Sequence, residues 1–459
     1  MGKKKHIILF INQVLPDVYR SLGKYAKETG KKCDVAVIKS SRARKQEKKP
    51  EKSKKKPDIE IICDLDQDEK ISEALRPYQD ELLAITCRGE IGIQEFIKII
   101  PHVPYLRTPT AKSLEWATDK VMMRRQMRAY DKSIIPTFKV VTDTKPETLK
   151  DIREKIGFPL VLKPANLAAS LLVTICFHKE ELEKTLRLSF KKIQKIYKDN
   201  KRKAEPKVLV EQFMEGDMYS IDAYVSSKGR VYLCPLVYVQ TGRTVGFDDF
   251  FAYKTITPTT LKKSSQEAAE EAAEKSVHAL GLRSTTVHIE LMRTEDGWKV
   301  IELGPRAGGF RHRLYELAFG FDHTLNDILI RSPKKPILSK KAKGYAAMVR
   351  FFAKEEGTLT SLKGIQKMEK LKSYMESKIN KKVGDRCVFA KHGGRGVVEV
   401  TLFNKSRSEL QADIRRLEQT IKIETEKPTN GTKIKKSKTK KLNSKNSKPK
   451  PVKKKKRKK

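Results

Sequence analysis

The chain has 459 residues, 38% of them hydrophobic, which is enough for two or three domains with hydrophobic cores. Its formal net charge is +43. No apolar run reaches the roughly 18 residues of a membrane helix, and the N-terminal apolar stretch is too short for a signal peptide, so we predict a cytoplasmic protein without a membrane span. The six cysteines have no CxxC or metal-ligand spacing, which is typical of reduced thiols.

The positive charge is concentrated in two segments. Residues 427–459 hold 17 Lys or Arg and no acid, and residues 39–56 hold 10 Lys or Arg and two Glu. Like-charge blocks repel themselves, so we predict a basic insertion over 39–57 and a disordered Lys-rich tail over 426–459. The tail is either a solubilising extension or a segment that binds nucleic acid or another polyanion. The absence of interleaved aromatic residues favours the first interpretation.

The first 110 residues alternate apolar runs with helical patterns. Strands are predicted at 7–11, 33–38, 59–63 and 82–86, with a helix at 17–30. This βαβ order predicts a small doubly wound domain with a parallel sheet. No glycine-rich dinucleotide fingerprint follows the first strand, so no Rossmann cofactor site is expected there.

Residues 111–335 have the mixed pattern of an α+β core, and residues 336–425 that of a small C-terminal α/β subdomain. A core helix is predicted to begin at Thr118, which would cap it. Another, over 264–280, begins with a capping box formed by Ser264 and Glu267. The remaining predicted strands lie at 138–141, 158–163, 208–214, 220–225, 345–353 and 395–402, and the remaining helices at 146–156, 179–198, 361–372 and 408–423.

Two glutamates on a predicted hairpin are the most informative feature of the core. A three-residue loop centred on Asp296, with Gly297 left-handed, places Glu290 directly opposite Glu302, with Cβ atoms roughly 5 Å apart. Like charges in this position destabilise a hairpin unless a cation lies between them, and Mg²⁺ is often held by one or two carboxylates plus substrate phosphates. The alternative is an exposed hairpin with two solvated glutamates. His288 shares the same face.

A glycine-rich loop, Gly304-Pro305-Arg306-Ala307-Gly308-Gly309, follows the second glutamate. Such a loop lets Arg306 approach a phosphate or carboxylate closely. Further along, Arg311 and Arg313 are either a bidentate clamp for a substrate carboxylate or ordinary surface charge, which the residues leave open. Residues 240–253 are either an active-site lid or a plain surface loop.

These features, with a strand ending at Lys163 and a strand-to-turn segment over 208–216, resemble the ATP-grasp superfamily. The resemblance extends over roughly residues 1–425 and is strongest to the carboxylate–amine ligases, including the L-amino-acid ligase branch. It implies an α+β ATP-grasp fold with an N-terminal doubly wound α/β pre-grasp domain (1–110), a grasp core (111–335) and a small C-terminal α/β subdomain (336–425).

The resemblance also implies roles for individual residues. Arg306 and Lys163 would be catalytic, and Glu290 and Glu302 would bind Mg²⁺ or Mn²⁺. The candidate substrate residues, which come from the residue pattern and not from the resemblance, are His288, Arg311 and Arg313. The implied ATP-binding residues are Lys120, Lys163, Ser170, Glu211, Phe213 and Asp217, with Glu211 and Phe213 in a hinge whose backbone reads adenine.

Three departures from the family pattern concern the nucleotide site. The phosphate loop, Ala168-Ala169-Ser170-Leu171-Leu172, lacks the usual glycines and their freedom to close over phosphate. Met218 occupies the position of a ribose-binding glutamate, so ribose recognition is expected to shift to Asp217 or to weaken. Gly304 replaces an asparagine that would be a further metal ligand.

The sequence therefore predicts an enzyme: a Mg·ATP-dependent, ADP-forming ligase that joins a small-molecule carboxylate to an amine through an acyl phosphate. Two alternatives remain open. One is a non-catalytic nucleotide-binding protein that its basic tail recruits to RNA or another polyanion. The other is a different ATP-grasp outcome such as carboxylation. A homodimer is also left open.

Overall fold

The computed structural model describes residues 6–15, 17–44, 56–165, 171–199 and 205–427. Ser170, the middle of the basic insertion and nearly all of the Lys-rich tail lie outside these ranges. Within them, no helix combines the length and the apolar character that crossing a membrane requires. Helices and sheets are mixed along the chain, which confirms the α+β class.

The first sheet is parallel, as predicted, with the strand order β3-β2-β1-β4. Its strands are β1 (Ile7–Ile11), β2 (Asp34–Ser40), β3 (Ile59–Cys63) and β4 (Leu82–Thr86), and its helices are α1 (Asp17–Thr29), α2 (Ser41–Arg44), α3 (Asp68–Leu75) and α4 (Ile93–Ile99). Ile8 and Phe10 pack into one apolar core while Leu9 and Ile11 pack into another. The sheet is therefore buried on both faces, as in a doubly wound fold.

Two helices, α5 (Ala111–Thr118) and α6 (Lys120–Tyr130), lead into the core. The prediction that Thr118 caps a helix was wrong, because Thr118 is the last residue of α5. Asp119 lies between the helices in an extended conformation and caps α6, where its Oδ1 accepts from the N–H groups of Val121 and Met122 at 2.8 and 3.1 Å. A carboxylate at this position also favours the positive end of the helix.

A four-stranded antiparallel sheet follows, in the order β5-β8-β6-β7, and we call it the small lobe. Its elements are β5 (Phe138–Val141), β6 (Leu160–Pro164), β7 (Thr174–Cys176), β8 (Val208–Gln212), α7 (Pro146–Lys155) and α8 (Lys179–Asp199). Leu162 and Val210 pack against the two helices in one core. Because strand side chains alternate, Val161, Lys163 and Glu211 point to the opposite face.

A nine-stranded sheet forms the second lobe, in the order β14-β13-β9-β11-β12-β15-β19-β17, with β10 on β9. Its strands are β9 (Asp217–Val225), β10 (Val231–Leu233), β11 (Val237–Thr241), β12 (Ala252–Thr257), β13 (Thr285–Thr294), β14 (Gly297–Gly304), β15 (Tyr345–Phe351), β17 (Tyr374–Ile379) and β19 (Val398–Asn404). Tyr219, Ile289 and Val300 belong to the main apolar core, so we call their side of the sheet the core face. The other side is the site face.

Helices α9 (Lys263–Ala279), α10 (Arg311–Phe319) and α11 (His323–Arg331) accompany this sheet. The capping box predicted for α9 does not form, since the helix begins after Lys262 without a side-chain cap. Helix α11 joins the first sheet to the core, because Thr86 on β4 and Thr286 on β13 both donate to Asp327 at 2.6 Å.

Three strands after residue 335, β15, β17 and β19, extend the core sheet, so the predicted C-terminal subdomain shares a sheet with the grasp core. A separate small sheet and two helices complete this region: β16 (Gly357–Lys363), β18 (Arg386–Cys387), β20 (Lys422–Glu426), α12 (Ile365–Met368) and α13 (Arg407–Thr420). Of the helix predicted over 361–372, only Ile365–Met368 is helical, because β16 continues to Lys363. The domain boundaries themselves stay a prediction.

Candidate active site

Glu290 and Glu302 stand directly opposite each other on β13 and β14. The register is the predicted one, but the loop is not. Thr294 pairs with Gly297 across a two-residue turn, and a bulge at Ile301 then adds the missing residue. Gly297 has the predicted left-handed backbone, with φ of +96°. Both carboxylates lie on the site face and are about one-third exposed, at 35% and 36%.

Cations surround this acid pair. Lys120, in the first turn of α6, places Nζ 3.4 Å from Oε2 of Glu302. Arg306 donates from Nη2 to Glu90 at 2.9 Å. Burial acts to lower the pKa of Arg306, but Glu90, Glu302 and Glu290 raise it overall, which places this guanidinium beside both members of the pair. Lys120 and Arg306 thus converge on the predicted metal site.

The donor set of the acid pair suits Mg²⁺. Across the ranges that the structure describes, no group of three or more His, Cys, Asp or Glu side chains is arranged to hold a metal ion. A pair of carboxylates nevertheless fits Mg²⁺, because this ion takes its other ligands from water and substrate phosphates.

Hydrogen bonds among buried polar groups hold His288 next to the acid pair. His288 donates from Nδ1 to Asp222 at 2.6 Å, and its Nε2 lies 3.6 Å from Glu290. Burial acts to lower the pKa of His288, but Asp222 and Glu290 raise it overall. The other oxygen of Asp222 accepts from His323 and from the backbone N–H of Gly308, both at 2.8 Å. Asp222 therefore fixes both His288 and the glycine-rich loop.

Gly308 is required at this point of the loop. A Cβ on Gly308 would lie 2.5 Å from Nδ1 of His288 and 2.9 Å from Oδ1 of Asp222. Because both of these atoms are buried and hydrogen-bonded to each other, neither can move away cheaply. The loop can approach the acid pair only because residue 308 has no side chain.

Lys163 and Arg124 share one buried carboxylate. Oε2 of Glu211 accepts from Lys163 at 2.6 Å, and Oε1 accepts from Arg124 at 2.5 Å. Burial acts to raise the pKa of Glu211, but Arg124 and Lys163 outweigh it and lower that pKa to about 2. Arg124 also donates to the carbonyl of Ile301 at 2.7 Å. It thereby connects the small lobe to the bulge beside Glu302.

Arg124 is the main residue that sequence reasoning missed. It lies one helical turn after Lys120 on α6, and this four-residue spacing was the available signal. Glu211 was predicted to act through its backbone in the hinge, yet its side chain is the centre of the ion cluster.

The predicted adenine-reading hinge is partly occupied by protein contacts. The N–H of Phe213 donates to Pro159 at 3.1 Å, and that of Gln212 donates to Thr137 at 2.9 Å. The ring of Phe213 faces the guanidinium of Arg243 at 6.0 Å. Arg243 comes from the predicted lid and also lies over Phe177 at 5.7 Å. This loop therefore spans from the hinge to the end of β7.

Asp217 points away from the acid pair, so the expected ribose contact needs correction. In the ladder between β9 and β13, Asp217 pairs with Arg293 while Ser220 pairs with Glu290. Residues three apart on a strand point to opposite faces. Met218 therefore lies on the site face, and Asp217 lines a cleft of about 1260 Å³ on the other side of the hinge.

The two arginines after the glycine-rich loop differ sharply. Arg311 is buried and donates to Oγ of Ser220 from Nη2 at 2.7 Å, next to the acid pair. Arg313 pairs with Glu316 at 3.0 Å and Glu376 at 2.9 Å. Of the two interpretations that the sequence leaves open, surface charge therefore describes Arg313, which two acids already pair.

Two lobes with an acid pair on the site face between them are the arrangement of an ATP-grasp fold. Residues 156–312 match the family model of the ATP-grasp domain, as the resemblance predicts for the core. An L-amino acid ligase from Bacillus licheniformis has the same fold, with a TM-score of 0.70 and 19% identity over 93% of this chain and 100% of that one.

Sequence relatives agree with this assignment. The chain is 28% identical over 278 residues to alanine–anticapsin ligase from Bacillus subtilis (strain 168), which covers 54% of this chain and 56% of that protein. It is also 28% identical over 284 residues to an uncharacterized protein from Sinorhizobium fredii, covering 61% of this chain and 55% of that protein. The chain spans about half the length of the curated relatives it matches.

Proposed function

We propose that the protein is a Mg²⁺- and ATP-dependent ligase that joins a carboxylate to an amine through an acyl phosphate. The observation that carries this proposal is the position of Glu290 directly opposite Glu302, with Lys120 and Arg306 beside them. The similarity to alanine–anticapsin ligase supports carboxylate–amine ligation among the reactions open to an ATP-grasp protein.

Each residue of the site has a separate role in the proposed reaction. Glu290 and Glu302 would hold Mg²⁺, whose chemistry here is neutralisation of the charge on the ATP phosphates. Lys163 and Lys120 bind phosphate oxygens, and Arg306 orients the γ-phosphoryl group against the carboxylate. The carboxylate oxygen bonds to the γ-phosphorus and ADP leaves. The amine nitrogen then bonds to the acyl carbon, the C–O bond to phosphate breaks, and the amine loses a proton.

The test is ADP release from Mg·ATP with a panel of amino-acid pairs, with the new amide bond identified by mass spectrometry. Glu302→Gln should lower turnover by at least about 100-fold, as expected for loss of a charge that stabilises phosphoryl transfer. Its thermal midpoint should stay near that of the unmodified protein. Glu295→Gln, on the exposed turn of the same hairpin, is the matched control. Equal turnover in the two variants would contradict the metal assignment.

The polyanion and carboxylation alternatives make different forecasts. A ligase that ends at Glu426 should keep its turnover, whereas a non-catalytic protein recruited by its tail should show no turnover and, on truncation, lose both affinity for RNA and its steep salt dependence. A carboxylase would require bicarbonate in the same ADP-release assay. The cytoplasmic location and a homodimer stay predictions.

A further inference from the structure

A buried guanidinium next to the acid pair has no ion-paired or hydrogen-bonded acid among the described residues, although it lies near enough to Glu290 to help lower the pKa of that carboxyl. Arg311, in the first turn of α10, is 6% exposed. Its Nε and Nη2 reach only Oγ of Ser220, at 3.2 and 2.7 Å. Among the described residues, no carboxylate forms an ion pair with it. Buried arginines are rare unless an anion matches their charge.

A second arginine lies on the same face. Met348 lies on the site face, because strand pairing connects it to Met218. The paired residues along this path are Met218 with Val239, Val239 with Thr255, and Thr255 with Met348. Arg350 follows two residues later on β15 and therefore points the same way. Its guanidinium carbon lies 4.6 Å from the ring centre of Phe310.

The charge of Arg350 is only partly matched. Its one acidic neighbour within the described ranges is Glu399, with Nε to Oε1 at 3.8 Å. Burial lowers the pKa of Arg350, Glu399 raises it, and Arg311 lowers it further, so the two guanidinium groups are close enough to repel each other. We call Ser220, Phe310, Arg311 and Arg350 the arginine pocket.

The backbone adds positive potential to the arginine pocket. Phe310 has φ of +61°, a left-handed conformation that is costly for a bulky residue and is usually retained at functional sites. It precedes α10, whose first turn contains no acid. The positive end of this helix therefore points to the same place as the two guanidinium groups, and all three favour an anion.

The arginine pocket is also close to the reaction centre. Ser220 pairs directly with Glu290 across neighbouring strands, which are about 5 Å apart. Arg306 lies beside both acids of the pair, whereas Arg311 lies beside Glu290 and contacts Ser220. Arg306 is therefore the arginine placed for phosphoryl transfer, and Arg311 and Arg350 are placed to bind a neighbouring anion. An anion in the arginine pocket would lie within the length of one small molecule from the reacting group.

We propose that the arginine pocket binds a carboxylate that does not react, carried by one of the two substrates. This inference rests on the proposed ligase function and narrows its substrate class. The carboxylate belongs either to an acyl donor with two acidic groups or to an acceptor that is itself an amino acid. Both sources present the same planar anion to the guanidinium groups.

The first experiment compares matched substrates in the ADP-release assay. Each acyl donor with a second carboxylate is paired with the donor whose second carboxylate is an amide, and each acceptor amino acid with its C-terminal amide. We expect one of these changes to raise KM by about 10- to 100-fold, the usual effect of losing hydrogen bonds to a charged group. The donor or acceptor arm that responds identifies the source of the carboxylate.

The second experiment uses Arg311→Lys, Arg311→Met and Arg350→Met. Each should raise KM for the charged substrate, leave KM for its amide within about 2-fold, and leave KM for ATP unchanged. Arg311→Lys keeps the positive charge and is the variant expected to remain folded. Thermal unfolding checks that each variant is folded. Arg313→Met on the same helix is the control, because two surface acids already match Arg313.

The outcomes separate this inference from the proposed function. If no donor–acceptor pair gives ADP release with the unmodified protein, the ligase proposal fails, and the inference with it. If turnover occurs and the amides react as well as the acids, only the inference is overturned. It is also overturned if the arginine variants raise KM for ATP, since the anion would then be a nucleotide phosphate.

Discussion

At the residue scale, Glu211 shows how one buried carboxylate organises a phosphate site. It is 1% exposed and holds Lys163 and Arg124 at fixed positions. A lysine at the end of an apolar strand would otherwise have many rotamers, and fixing it beforehand lowers the cost of binding a phosphate. Glu211 balances only one of the two cations, so the cluster keeps a net positive charge that favours a phosphate.

Replacing Glu211 by Gln should both destabilise the protein and weaken ATP binding. Breaking a buried ion pair by removing one partner costs about 3–5 kcal/mol, and Lys163 would lose the group that orients it. We expect the free energy of unfolding to fall by about 3 kcal/mol and KM for ATP to rise. Denaturant unfolding and the ADP-release assay measure the two effects.

A surface variant provides the control for that prediction. Glu183 pairs with Arg187 at 2.7 Å on α8, where both side chains are largely exposed. Exposed pairs of this kind contribute about 0–1 kcal/mol, so Glu183→Gln should leave the unfolding free energy and KM for ATP nearly unchanged. If Glu211→Gln behaves like Glu183→Gln, the cluster around Glu211 has no structural or functional weight.

At the scale of elements, the hairpin of β13 and β14 shows what the sequence could and could not predict. The sequence predicted Glu290 opposite Glu302 from a three-residue loop, whereas the structure reaches the same pairing through a two-residue turn and a bulge at Ile301. The bulge at Ile301 was not predictable, because it depends on Arg124 of a distant helix, which donates to the carbonyl of Ile301. Local patterns specify strands and turns, whereas bulges are settled by tertiary contacts.

The same dependence on tertiary contacts explains the other predictions that differ from the structure. Ser264 and Glu267 have the spacing of a capping box, yet α9 begins one residue earlier and has no side-chain cap. The alternation that turns Asp217 away from the acid pair depends on the residue at which β9 begins, and strand ends are poorly specified by local sequence. Arg350 is more than 40 positions from the acid pair in the chain, so only the sheet order reveals that they share a face.

Gly216 connects the hinge to β9 and tests this element directly. It has φ of +145°, and a Cβ there would lie 2.0 Å from the carbonyl oxygen of Arg293. Gly216→Ala should therefore shift the hinge or the hairpin, lower the thermal midpoint and raise KM for ATP. A destabilisation of about 2 kcal/mol or more is expected, since backbone strain and a backbone clash combine.

Gly23 offers the opposite case on α1. Nothing lies within 4 Å of a Cβ built on Gly23, and its φ lies outside the left-handed range. Alanine in an exposed helix interior is more favourable than glycine by about 0.5–1 kcal/mol. Gly23→Ala should therefore raise stability while Gly216→Ala lowers it. Neutral effects of both substitutions would show that the hinge accepts a Cβ at residue 216.

At the scale of the whole molecule, α11 connects the first sheet to the ATP-grasp core. Asp327 on α11 accepts from Thr86, Thr286 and Arg331, the last at 3.0 Å. A single carboxylate thus joins β4 to β13. Because the pre-grasp sheet is connected to the strand that carries Glu290, its position relative to the acid pair depends on this contact.

The charge on Asp327 should make stability depend on acid pH. Burial acts to raise its pKa, but Arg331 and Arg88 outweigh burial and lower the pKa to about 2 from an ordinary value of 3.8. A carboxyl group whose pKa is lower in the folded than in the unfolded protein stabilises the fold when the pH is above its unfolded-state pKa. This stabilisation is lost as the pH falls through its folded-state pKa. We therefore expect a loss between about pH 4 and pH 2, worth about 2 kcal/mol from this group.

Asp327→Asn tests this connection by removing one titrating group from the contact between the two units. The variant should be less stable at pH 7, because Arg331 loses its charged partner, and its thermal midpoint should fall less steeply than that of the unmodified protein between pH 4 and pH 2. Asp296→Asn, on the exposed hairpin turn, is the control and should follow the unmodified protein at every pH. Parallel pH profiles for Asp327→Asn and the unmodified protein would show that acid sensitivity arises elsewhere, and Glu211, whose pKa is also lowered to about 2, would be the next group to replace.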